Sequence, residues 1–187
     1  MPSSCSLGLT GNGILNYGEI PASEFNDAGG SAQLPVRTID LQVTCATAYQ
    51  VAMTITDNRR GTLTGTSANS WVEFGIGRND DGTRQLGFYT ITPATSSNTL
   101  PSGTVQVLRS SALSTWVANG NGWAKMNIAS TPAAYKYISP GTGTTPVGVT
   151  SATIRLNVNL ALEPLNTLRL TQVVPLDGSA TIELVYL

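Results

Sequence analysis

Residues 151–162, SATIRLNVNLAL, put Ile154, Leu156, Val158, Leu160 and Leu162 at every second position, with Arg155, Asn157 and Asn159 between them. A repeat of two is the signature of a strand with one buried face. The same alternation runs through 34–45, with Ile39, Leu41, Val43 and Cys45, and through 50–56, with Val51, Met53 and Ile55. Shorter runs predict strands at 71–76, 86–91, 104–108, 168–173 and 181–186. Asp81-Gly82, between the 71–76 and 86–91 runs, is a strong hairpin turn signal. The final segment, SATIELVYL, alternates to its last residue: Ile182, Leu184 and Tyr186 share one face, and Thr181, Glu183, Val185 and Leu187 share the other. A terminal strand of this kind needs partners on its flanks, because unpaired peptide groups beside an apolar face invite pairing with another chain.

Helical periodicity is nearly absent. The least regular stretch, 119–149, is punctuated by Pro132, Pro140 and Pro146 and is expected to be a long connection. A chain of 187 residues suits one domain spanning 1–187. Two packed antiparallel sheets are the simplest architecture for this pattern, an all-β sandwich.

Composition sharpens this picture. Only 11% of residues are charged and the formal net charge is −1, without a basic cluster, which argues against nucleic acid and against an anionic membrane surface. No run approaches the ~18 apolar residues of a membrane span. Met1-Pro2-Ser3-Ser4 has neither a basic region nor an apolar core, so no signal peptide is expected there. The chain is then either cytoplasmic or a mature secreted protein. Two buried free thiols at Cys5 and Cys45 fit the pattern, but low charge and loop-rich β structure favour a disulfide and an oxidising compartment.

Histidine is absent, which removes Ser-His-Asp and Cys-His catalysis and every His-ligated metal site. No enzymatic activity, metal or cofactor is expected. Asp80-Asp81 is the only adjacent acidic pair, and its turn context implies solvation rather than catalysis. In Asp57-Asn58-Arg59-Arg60-Gly61 the arginines could hold an anion, but the plainer expectation is that Asp57 or Asn58 bonds the turn backbone while the arginines are solvated or paired. Gly75-Ile76-Gly77 lacks the third glycine and the helix of a phosphate loop, and marks a close backbone approach or a bulge. Among the tryptophans, Trp71 lies in an alternating run and is expected in the core. Trp116 and Trp123 flank a Gly/Asn-rich stretch, are expected at the surface, and are the candidate platform for a glycan.

Taken together, Cys5, the LNYGEI segment, TIDLQVTC ending at Cys45, TDNRRGT, FGIG followed by DG and LGFYTI, and the Tyr-Leu ending resemble a fimbrial-like family of Gram-negative secreted proteins. That family is catalogued as a domain of unknown function and is related to chaperone–usher pilins. The resemblance implies an immunoglobulin-like sandwich lacking its last strand, with a Cys5–Cys45 disulfide between its first two strands. It implies a groove lined by Ile182, Leu184 and Tyr186, and a Leu187 carboxylate that a chaperone would anchor. The implied partners are a periplasmic chaperone, an usher and neighbouring subunits, through strand addition, and the implied location is the periplasm and then a cell-surface fimbria. The alternative is a carbohydrate-binding adhesin domain contacting a host glycan. Pilins carry an alternating apolar extension before the first cysteine, whereas four residues precede Cys5, so this chain is expected to accept a strand rather than donate one.

Overall fold

The computed structural model describes residues 4–26, 29–118, 122–127 and 134–187. Within them lie strands β1 (Cys5–Leu9), β2 (Ala32–Gln33), β3 (Arg37–Tyr49), β4 (Val51–Asp57), β5 (Phe74–Gly75), β6 (Gly87–Pro93), β7 (Thr99–Leu100), β8 (Gly103–Thr104), β9 (Gln106–Ser110), β10 (Tyr137–Thr142), β11 (Thr145–Pro146), β12 (Val149–Leu162) and β13 (Ala180–Tyr186). They form an antiparallel sandwich. One sheet runs β1-β3-β12-β6-β5, with β2 and β7 on β12 and β8 on β7; the other runs β10-β4-β13, with β9 and β11 on β10.

The alternating sequences explain the packing. In the β3–β12 ladder Val43 faces Ala152, Leu41 faces Ile154 and Ile39 faces Leu156, so the apolar positions of two strands coincide on one face. Across the sandwich they meet Val51, Met53, Ile55 and Ile138, with Phe74 and Trp123 filling the space between. β4 is buried on both faces. Its inward residues enter the main core, while Ala52 lies beneath a smaller cluster with Leu108 and Trp116.

The structure differs from the sequence reading at several places. The run 71–76 forms a strand only at Phe74–Gly75. No strand forms over 168–173: a short helix, Leu165–Leu168, ends at Arg169 in the left-handed region (φ 51°), and Val173 beyond it is 88% exposed. The expected connection 119–149 contains β10 and β11, while 119–121 and 128–133, Pro132 included, lie outside the described residues. Met1, Pro2 and Ser3 do as well.

Other readings hold. Asp81 accepts hydrogen bonds from the Thr83 backbone and hydroxyl, closing the expected turn. Asp57 accepts from the Arg59 N–H at 2.8 Å, and Arg59 pairs with Asp177. Gly75 is a close approach, since a Cβ there would overlap the Arg59 carbonyl. Gly75→Ala is therefore expected to destabilise the fold by about 1–3 kcal/mol through overpacking against backbone. A lower urea midpoint at unchanged slope would register this.

Candidate strand-acceptor site

Among the described residues β13 lies at the edge of its sheet and pairs only with β4. Antiparallel ladders alternate between residues whose peptide groups face the partner and residues whose peptide groups face away. Two bonds fix the phase here. The Asn58 N–H donates to the Ser179 carbonyl, and the Leu187 N–H donates to the Gln50 carbonyl. In the β4–β13 register these pairs bracket the ladder, so Thr181, Glu183 and Val185 are the residues bonded to β4. The peptide groups of Ala180, Ile182, Leu184 and Tyr186 therefore point to the free edge.

The same four residues carry the inward side chains. Ala180, Ile182 and Leu184 are half-buried against the main core. The resemblance singled out three of them, Ile182, Leu184 and Tyr186, as groove residues, and they do share one face. Leu187 is 44% exposed and held by its backbone N–H, on the opposite phase. Beneath the edge opens a cavity of 300 Å³ lined by Leu9, Leu15, Tyr17, Ile55, Leu176 and Ile182 among others. Sequence alternation does not reveal Leu15, Tyr17 or Leu176, because they come from irregular segments.

The opposite rim of the gap is β1. Cys5 and Cys45 are directly paired and joined by a disulfide, with their Cα atoms 4.0 Å apart. Such a short separation marks a pair whose peptide groups point away from each other. The Cys5 N–H accordingly faces the gap, where it donates to the Tyr186 hydroxyl at 2.7 Å. The Tyr186 ring rests edge-to-face on Tyr49, with centroids 5.6 Å apart.

Behind the start of β13 lies a buried ion pair. Asp57, at the end of β4, accepts from the Gly75 N–H at 3.0 Å, and Lys125 Nζ lies 3.6 Å from the same carboxylate. Both side chains are fully buried, and Lys125 also donates to the Glu73 carbonyl. Burial holds the lysine below its usual range, opposed by the Asp57 charge. Burial pushes the neighbouring Tyr89 hydroxyl up, and the Asp57 charge adds to the shift. Nothing in the sequence pattern announced this pair, because Lys125 sits in an irregular segment.

The glycan platform is corrected. Trp123 is fully buried in the main core, its indole N–H donating to the Lys136 carbonyl. Trp116, 7% exposed, covers the outer face of β4. Trp71, expected in the core, is the most exposed of the three at 36%. Gly/Asn-rich surroundings led to the opposite assignment. They describe the connecting backbone, whereas the burial of an indole follows from its large apolar area.

Residues 1–88 match the model of a family described as "Protein of unknown function (DUF1120)". Over its full length the chain is similar to Protein GltF of Escherichia coli (strain K12), 29% identical over 216 residues that cover 84% of that protein. It is also similar to the Uncharacterized protein YhcF of the same organism, 26% identical over 209 residues, covering 99% of this chain and 86% of YhcF.

Proposed function

We propose that the chain is a structural, non-catalytic subunit of a chaperone–usher-type pilus or fimbria-like surface fibre. On this reading it is secreted into the periplasm and completed there by a strand from a chaperone. An usher then passes it into a fibre, where a neighbouring subunit supplies the strand. The observation that carries the reading is the free edge of β13, where the peptide groups of four residues have no β partner among the described residues and an apolar cavity opens beneath the Ala180–Ile182 end.

An added strand would satisfy those peptide groups and lower alternate side chains into the gap. Four inserted apolar side chains give a gross gain of roughly 6–12 kcal/mol before ordering costs. The occupant is thus an extended segment with apolar residues at every second position. The adhesin alternative keeps no support from Trp116 or Trp123, since neither presents a face to a sugar.

A synthetic peptide of about twelve residues, alternating isoleucine with threonine and lysine, is expected to raise the melting temperature by several degrees at saturation. A peptide with aspartate at the inward positions serves as the control. No shift with the alternating peptide, or equal shifts with both, would count against the reading.

A further inference from the structure

The gap between β1 and β13 is not uniform. At one end Ala180, Ile182, Leu9 and Leu15 surround the open cavity. At the other end Tyr186 reaches across to the Cys5 N–H. By the phase derived above, that amide is one of the groups β1 turns toward the gap, and the Tyr186 side chain occupies the volume an incoming residue needs. The disulfide ties Cys5 to β3, so the far side of this contact is anchored. Tyr186 is itself 49% exposed, with the Tyr49 ring packed against it in a T-shaped contact, and its exposed side leaves it room to swing outward.

We infer that Tyr186 is a removable clasp closing the disulfide end of the groove. An incoming strand engages first along Ala180, Ile182 and Leu184, and completes its pairing only when the Tyr186 hydroxyl releases the Cys5 amide. This rests on the strand-acceptor reading above and adds an order of events to it. The clasp slows association and shields part of the edge from indiscriminate pairing, a need shared by all exposed edge strands. Release costs one hydrogen bond to a backbone amide, and the ring gives up its contact with Tyr49.

The test compares the full chain with Tyr186→Phe, which keeps the ring and removes the hydroxyl. With the fluorescently labelled isoleucine-alternating peptide, Tyr186→Phe is expected to associate about three- to tenfold faster, the range set by one net hydrogen bond. Tyr49→Leu, which removes the ring packed against Tyr186, is expected to act in the same direction. In the free proteins the Cys5 amide is expected to exchange its hydrogen faster in Tyr186→Phe than in the natural chain. Equal association rates for the natural chain and both variants overturn the clasp and leave the acceptor reading standing. Failure of the peptide to bind any of the three overturns both.

Discussion

Replacing Cys5 and Cys45 together by serine is expected to cost about 2–5 kcal/mol of stability. The bond joins residues 40 apart in sequence, and in the chain-entropy account a loop of that length restricts the unfolded ensemble by about 4 kcal/mol. The native site adds to the effect. β1 is five residues long and sits at the edge of its sheet, paired among the described residues only with β3, so without the bond it is held by its short ladder, the half-buried Leu7 and Leu9, and the single hydrogen bond from the Cys5 N–H to Tyr186. At ~2–4 °C per kcal/mol for a domain of this size, the melting temperature should fall by about 4–20 °C. Reduction of the natural protein should reproduce the fall. A serine variant melting within about 2 °C of the natural chain would show that β1 needs no covalent anchor.

The parts of this fold legible in the sequence are those where one face is buried and the other is not. β12 and the inward half of β3 announce themselves because Ile154, Leu156 and Val158 meet core while Arg155 and Asn157 do not. β13 is legible for the same reason. β10 escapes because Ser139 and Pro140 are both buried, and Pro140 and Gly141 read as a turn when the sequence stands alone. Its pattern is set by tertiary context: the Ser139 hydroxyl donates to the Val51 carbonyl, so a polar residue occupies an interior position at little cost. The opposite error at 168–173 has a related cause. Leu170 and Val174 reach a satellite cluster from irregular backbone, giving apolar spacing without a ladder.

The proposed acceptor site divides in the same way. Alternation alone places Ile182, Leu184 and Tyr186 on one face, whereas their role as groove residues came from the family resemblance. Which of their peptide groups face outward is not legible in the sequence, since that depends on the pairing partner and register. The match of Cys5 N–H to Tyr186 hydroxyl joins residues 181 apart, a relation no local pattern encodes.

Lys125→Met is expected to destabilise the protein by about 3–5 kcal/mol, because it leaves the Asp57 carboxylate buried without its cation. The natural pair need not be strongly stabilising for this to hold, since desolvating both charges offsets much of their attraction. The informative comparison is therefore the cycle of Asp57→Asn, Lys125→Met and the double variant. Asparagine keeps an oxygen for the Arg59 or Gly75 amide, and the double variant buries no charge, so its cost should fall below the sum of the singles by more than about 1 kcal/mol. Urea melts at neutral pH would measure all three, and simple additivity would show that the two groups do not communicate. A second signature is pH. The folded state holds the Lys125 proton less tightly than the unfolded chain, whose lysine titrates near 10.5. Between the folded value and 10.5 the unfolded state binds more protons, so this group makes stability rise with pH across that window. Above about 10 the raised Tyr89 acts in the opposite sense, because the unfolded tyrosine ionises first. Lys125→Met should remove the rising limb and leave the alkaline fall, a separation that a merely bulky core residue at position 125 would not produce.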